Sequence, residues 1–505
     1  MKNYSKAISL FEQALTLQEK LSPLNHHDLS NTYNIIGITY YNMKNYHNAL
    51  SFYEKACTIR EKYFSNEKST LATIYNNIAV AYNAIDDHSN AISFYAKTVS
   101  IREKNPKEDE SSLANIYKSM GLIYHSMQNY SKAIIYYQKA ILIEEKILSS
   151  DDSSLETTYN NIAVASHCME DKQNALIFHR KAFVIREKTP SPNDPAIAST
   201  CKNIASIYHS MKNYSEANIF YQKALAIQEK ILSPNDSSLA STYINIASIH
   251  HSMKNYSDAV SFYHKALTIL EQTDSPHNSS LGITYNNIAV ASHCTEDKQN
   301  ALIFYRKALV IQEKTLSPTD PEIASTCKSI ASIYHSMKNY ADTVAFYQKA
   351  LTILEKTLSS NDATLGTTYN NIAVAYDCMD DKNNALLFYQ KSLLIREKIL
   401  TPHDLLSAPL YSSMASIYSS MNKKTDAVKF YEKSLEIQEA SSSPNHSSLY
   451  VIHFNTARNY EDLENNDAAI KHAERSLFHA RSAFDSNDEK IQNVQNYIDM
   501  LRKKL

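Results

Sequence analysis

An all-α, right-handed solenoid of antiparallel helix pairs is the fold class the sequence predicts, on three observations. The 505 residues repeat with a 42-residue period, without insertion or deletion, through ten successive steps. Each unit carries two apolar stripes of helical periodicity separated by a short polar turn. Only four residues are glycine, against a usual share of about 7%, as befits a chain that is helix nearly throughout.

Taken from the N-terminus, residues 1–20 align with the second half of a later unit, Met43 to Lys62, so the chain opens on a half repeat. An unpaired helix there would expose Ala7, Ile8, Phe11 and Leu15, which reads as a piece of a longer protein or as a face that a partner covers. Residues 21–486 then hold eleven helix pairs in one solenoid. Their anchor column runs Tyr33, Tyr75, Tyr117, Tyr159, Cys201, Tyr243, Tyr285, Cys327, Tyr369, Tyr411 and His453. Four places on, only glycine or alanine stands, from Gly37 to Ala457. Sixteen places on comes alanine, from Ala49 to Ala469, with Thr343 the one substitution. Such small columns let helix backbones approach, and stacking of neighbouring pairs buries stripes that no helix could bury alone.

One unit shows the local logic. Its first helix carries Tyr243, Ile246 and Ala247 on one face, the turn falls near Met253-Lys254-Asn255, and the second helix carries Ala259, Phe262, Tyr263, Ala266 and Leu267. Second helices end at clusters such as Leu232-Ser233-Pro234-Asn235-Asp236, which break a helix and cap the next. Asp320-Pro321-Glu322 gives the clearest start, an Asp N-cap with proline at the first helical position, repeated at Asp194-Pro195. Residues 487–505 place Ile491, Val494, Ile498, Leu501 and Leu505 on one face with Lys503 and Lys504 at the end, which predicts a capping helix. Ser166, Ser292 and His250 replace a tyrosine found at Tyr124 and Tyr334, so those units are expected to be hollow.

Several function classes fall away. Gly37, Gly121, Gly282 and Gly366 are at least 84 residues apart, which excludes dinucleotide fingerprints and P-loops. Charge sums to −2 with both signs spread along the chain, so no nucleic-acid footprint is present. The six cysteines, Cys57, Cys168, Cys201, Cys294, Cys327 and Cys378, make no C-x-x-C pair and read as small hydrophobes. No apolar run approaches a membrane span and no signal peptide opens the chain, so a cytoplasmic setting without membrane contact is predicted. No nucleophile elbow or H-E-x-x-H occurs, so no enzyme and no cofactor is expected.

Three motifs recur: Tyr159-Asn160-Asn161-Ile162-Ala163, the Asn-Tyr-x-x-Ala of Asn213 to Ala217, and the segment Phe304 to Lys314. They resemble the tetratricopeptide repeat family over nearly the whole chain, and specifically its 42-residue kinesin-light-chain-like type. The chain departs from kinesin light chains in lacking a heptad segment and in carrying eleven units. The resemblance implies a concave wall lined by first helices, with asparagines that hold the backbone of a bound peptide.

Helical geometry puts on that wall the residues one, two, five, eight and nine places after each anchor. Asparagine stands two places after it at Asn77, Asn161, Asn203, Asn245, Asn287, Asn371 and Asn455. An amide offers donors and an acceptor to any extended peptide, although copied surface polarity would also fill such a column. One place after the anchor, Lys118, Lys202 and Lys328 would favour acidic peptides or a C-terminal carboxylate. Eight places after it runs a histidine column of His125, His167, His209, His251, His293 and His335. Neighbouring units lie too far apart for these imidazoles to share a metal ion, so the column is either a pH-sensitive lining or a neutral polar one.

The predicted function is a non-catalytic protein-protein interaction scaffold that binds an extended, acidic peptide or partner segment, as a kinesin-light-chain-like cargo adaptor would. A fragment of a larger multidomain protein and an architectural rod are the other readings, and oligomeric state stays open.

Overall fold

The computed structural model describes residues 2–20, 23–104, 110–150, 152–188, 195–272, 279–399, 404–441, 443–486 and 488–504. They form two compact units, 1–253 and 254–505, and no strand occurs among the described residues. In the first unit the helices are α1 (Lys2–Glu19), α2 (His26–Asn42), α3 (Tyr46–Tyr63), α4 (Lys68–Asn83), α5 (His88–Arg102) and α6 (Glu110–Ser126). It continues through α7 (Tyr130–Ile147), α8 (Ser153–Cys168), α9 (Lys172–Glu187), α10 (Pro195–Ser210), α11 (Tyr214–Ile231) and α12 (Ser237–Ser252). The second unit holds α13 (Tyr256–Gln272), α14 (Ser279–Cys294), α15 (Lys298–Thr315), α16 (Pro321–Ser336), α17 (Tyr340–Thr357) and α18 (Ala363–Cys378). It ends with α19 (Lys382–Ile399), α20 (Ala408–Ser420), α21 (Lys424–Glu439), α22 (His446–Asp462), α23 (Asn466–Ala483) and α24 (Glu489–Arg502). Within each unit helices pack on their neighbours in sequence, the arrangement of an all-α solenoid.

One turn is used throughout. After each first helix a residue adopts the left-handed conformation, and all eleven, from Lys44 to Glu464, are non-glycine. At Lys338 (φ 59°) the following amide, Asn339 N–H, donates back to Tyr334 O at 2.9 Å, a six-residue C-terminal capping loop. Asn339 then caps the second helix by accepting from Asp342 N–H at 3.3 Å. Asn or Asp holds this place before every second helix but α21, where Lys423 makes no side-chain cap bond. The left-handed backbone costs a side chain about 1–2 kcal/mol, more than glycine's entropic cost of about 0.5–1 kcal/mol. Lys338→Gly is therefore expected to raise stability by up to about 1 kcal/mol, read as a higher thermal midpoint; a lower one would show that the lysine itself holds the turn.

Between helix pairs, Asp320 caps α16 with Pro321 at its first position, accepting from Glu322 N–H at 2.9 Å. Asp194, the matching residue before Pro195, lies outside the described residues. Both small columns are wholly buried, as at Ala79, Ala163 and Ala331 and at Ala49, Ala217 and Thr343. Each anchor tyrosine also reaches back to a glutamate 14 residues earlier. Tyr33 donates to Glu19 at 2.8 Å, Tyr159 to Glu145 at 2.5 Å and Tyr285 to Glu271 at 2.6 Å. Burial first, and the carboxylate second, push the Tyr33, Tyr243 and Tyr411 phenols up to about 12. Cys201 and Cys327 cannot make this link, and Glu187 and Glu313 keep only the lysine pairing, to Lys223 and Lys349, that Glu103 and Glu145 make beside their tyrosines.

The first helix corrects one expectation. α1 turns its stripe onto α2: Ile8 is buried, Leu15 packs on the first core, and the exposed large hydrophobic side chains are Tyr4, Leu10 and Leu17. At the other end α24 buries Val494, Ile498 and Leu501 against Ala473 and Leu477 of α23, while Leu505 lies outside the described residues. Where units keep the tyrosine it stacks on a second-helix ring, as Tyr208 on Phe220 at 5.9 Å and Tyr334 on Phe346 at 5.7 Å. At Ser292 that ring is missing, and a hollow of about 430 Å³ opens beside Phe304, Val260 and His264. No helix among the described residues is long and apolar enough to cross a membrane.

Candidate first-helix binding face

Within the first unit successive first helices present a common face, since their side chains bond across it. Asn77 Nδ2 donates to Asn34 Oδ1 at 3.1 Å between α4 and α2. His209 Nε2 lies 3.4 Å from Ser252 Oγ between α10 and α12. In the first unit this face carries Asn77, Asn161 and Asn245 half-buried and Asn203 exposed. In the second unit Asn287, Asn371 and Asn455 are half-buried.

Behind the asparagine column stands a second, buried column of rings from the preceding second helix. It runs Tyr53, Tyr95, Tyr137, His179, Tyr221, Tyr263, Tyr305, Tyr347, Tyr389 and Tyr431. Tyr347 Oη accepts from Asn371 Nδ2 at 3.3 Å, and Tyr431 bonds to Asn455 as well as to Ser416. Serines at the same place take the hydroxyl elsewhere, Ser119 for Tyr95, Ser329 for Tyr305 and Ser413 for Tyr389. The column two places after the anchor is thus tethered from behind in these units. His179 breaks the pattern, and a hollow of about 190 Å³ lies between it, Asn203 and Ser206.

The lysines divide. Lys118 Nζ sits 2.7 Å from Glu144, which is 1% exposed, and 2.6 Å from Ser154 Oγ. Its charge is neutralised inside the fold. Lys202 and Lys328 are half-buried. Thr364 holds the Asp362 carboxyl below its usual range through hydroxyl and amide bonds, with a smaller contribution from Lys328.

Two environments likewise divide the histidines. His125, His209 and His335 lie edge-on to Tyr130, Tyr214 and Tyr340 at 5.3, 5.7 and 5.5 Å. In other units lysine replaces that tyrosine, as Lys172 and Lys298, whose ammonium groups reach Ser210 O at 3.3 Å and Ser336 O at 3.4 Å. There His167 and His293 stand exposed; His251, whose repeat keeps the tyrosine as Tyr256, is half-buried. Burial lowers the pKa of His209, so its protonation would come at a lower pH than that of a solvated imidazole. Cysteines split too. Cys57, Cys201 and Cys327 are buried, and desolvation pushes the Cys201 and Cys327 thiols up to about 11. Cys168, Cys294 and Cys378 are exposed, so the reading of all six as small hydrophobes holds only for the buried three.

One cluster joins the anchor His453 and the glutamate 14 residues before it to histidines that stand in no column. His446, His453, His472 and His479 gather with Glu439 among α21, α22 and α23. Their sequence signal is local, four histidines between 446 and 479, in a unit that departs from the repeat consensus.

No curated protein matches the chain. Among solved structures it is similar to BtubC (BKLC) from P. vanneervenii, at 18% identity over 45% of this chain and 91% of that one, with a TM-score of 0.38. The nearly identical tetratricopeptide-like repeats of a Podosopora anserina protein named for kinesin light chains match at 19% identity. That match covers 42% of this chain and 99% of that one, with a TM-score of 0.37. The C-terminal part of a tetratricopeptide repeat-containing protein from Cytophaga hutchinsonii matches at 18% identity over 57% of this chain and 97% of that one, with a TM-score of 0.43. The tetratricopeptide repeat family model matches residues 1–62, 70–143, 154–230, 238–314, 322–398 and 406–482. Helix pairs, small buried columns and this match agree, and the chain belongs to the tetratricopeptide repeat family.

Proposed function

We propose that this protein is a non-catalytic interaction scaffold whose first-helix face binds an extended segment of a partner protein. The asparagine column carries the reading. When the hydroxyl of Tyr347 takes one N–H of Asn371, the other N–H and the carbonyl remain for a ligand, in a rotamer already fixed. Such amides pair with a peptide backbone whatever its side chains, and their repetition from unit to unit suits an extended strand. Lys202 and Lys328 supply cationic points that favour an acidic residue or a terminal carboxylate. Cargo adaptation in the manner of kinesin light chains is one use of such a face.

The test uses the intact protein and an immobilised library of acidic peptides. Asn161→Ala, Asn203→Ala and Asn245→Ala together are expected to weaken capture at least about tenfold, since each lost bond contributes about 0.5–1.5 kcal/mol. Helical circular dichroism should be unchanged. Undiminished capture by the triple variant would remove the asparagine column from the site.

A further inference from the structure

The histidine cluster of α21 to α23 has the chemistry of a metal site. Glu439 ends α21; His446 and His453 lie two helical turns apart on α22, and His472 and His479 two turns apart on α23. His453 is wholly buried, and its Nε2 is 3.0 Å from Glu439 Oε1. The His453 and His479 rings are parallel within 7° at a centroid separation of 5.5 Å. Donor atoms of Glu439, His453 and His479 all lie within 4.8 Å of one another. His446 Nδ1 approaches His479 Nδ1 at 2.8 Å. Glu439, His446 and His479 also line a hollow of about 740 Å³ that connects the cluster to solvent.

Two imidazole nitrogens can face each other only across a shared proton or a cation. A divalent ion accepts both lone pairs, and the Glu439 carboxylate offsets part of its charge. We propose that Glu439, His446, His453 and His479 bind one zinc-class divalent transition-metal ion through three imidazole nitrogens and a carboxylate oxygen. Imidazole-rich donors select such ions over magnesium or calcium. Ligands at about 2.0–2.2 Å in a tetrahedron lie about 3.3–3.6 Å apart. The His446–His479 and His453–Glu439 pairs, at 2.8 and 3.0 Å, therefore open by about half an ångström, and the wider gaps among Glu439, His453 and His479, within 4.8 Å, close by about 1 Å, which side-chain rotation supplies. Arg475, which donates to Glu439 at 2.9 and 3.2 Å, is half exposed and can turn into the hollow. His472 completes the arrangement. Its Nδ1 is 3.0 Å from His453 Nδ1, so it accepts that N–H and leaves His453 Nε2 for the metal. The bound ion would staple three successive helices.

Full-length protein, stripped with EDTA and dialysed, is titrated with zinc against a chromophoric chelator, with magnesium as the control ion. One zinc per chain is expected, together with a raised thermal midpoint and the visible bands of four-coordinate cobalt when cobalt is used. His446→Asn, at the mouth of the hollow, is expected to weaken zinc binding at least about tenfold, as is Glu439→Gln, each with helical circular dichroism intact. His47→Asn, an exposed imidazole of the first unit, should bind as the parent does. Zinc bound no more tightly than magnesium, unchanged affinity in both ligand variants, or loss in His47→Asn would overturn the site.

Discussion

Lys118→Met is expected to lower the unfolding free energy by about 3 kcal/mol, and adding Glu144→Gln to recover most of that loss. Glu144 is 1% exposed, and Thr158 and Ser154 hydroxyls each donate to it at 2.7 Å. These bonds support the carboxylate without neutralising it, which Lys118 does at 2.7 Å. Removing the ammonium strands a charge in the interior, whereas removing both charges leaves hydrogen bonds that a neutral amide can make. The repeat supplies its own precedent. Gln228 occupies the equivalent place, 4% exposed, and accepts from Thr242 Oγ1 at 2.6 Å. Urea midpoints of the parent, single and double variants decide the matter. An unshifted midpoint in Lys118→Met would show that the ammonium is not needed inside and return it to the binding face.

Lys118 also shows where the sequence stops being legible. The period, the helix pairs and both buried small columns follow from residue size and spacing, which recur in every unit and reinforce one another. Partners of charged side chains do not recur. Lys118, Lys202 and Lys328 share a column, yet Lys118 is decided by Glu144, which is glutamine in the unit of Lys202 and leucine at Leu354 in that of Lys328. The turn's position is legible in the sequence, but its left-handed residue is not, because Lys, Glu, Asp, Gln and Asn stand where glycine is usual. The C-terminal histidines were invisible for the opposite reason. Repetition carries the signal of the columns, and His446, His472 and His479 occur once.

His179→Tyr is expected to make the protein markedly less sensitive to acid. His179 stands in the buried tyrosine column, 2% exposed, and its Nδ1 has no hydrogen-bond partner among the described residues. Burial, with a smaller effect of His167, pushes its pKa down to about 4. In the unfolded chain the imidazole titrates near 6.5. Below that pH the unfolded state therefore takes up a proton that the native state refuses, and stability falls as pH drops until the native group also titrates. Across this window the loss amounts to about 3 kcal/mol, at about 1.4 kcal/mol per pH unit. Tyrosine has no charge to acquire there. Its ring would extend into the hollow of about 190 Å³, and its hydroxyl would meet Asn203, which stands to residue 179 as Asn371 stands to Tyr347. Urea unfolding at about pH 5 should favour the variant by about 2 kcal/mol more than at about pH 7.5. Other buried imidazoles titrate alike in both proteins, so the difference isolates this site. A gap that failed to widen on acidification would mean that His179 is already protonated in the native state, and that the hollow beside Asn203 is wet enough to hold its charge.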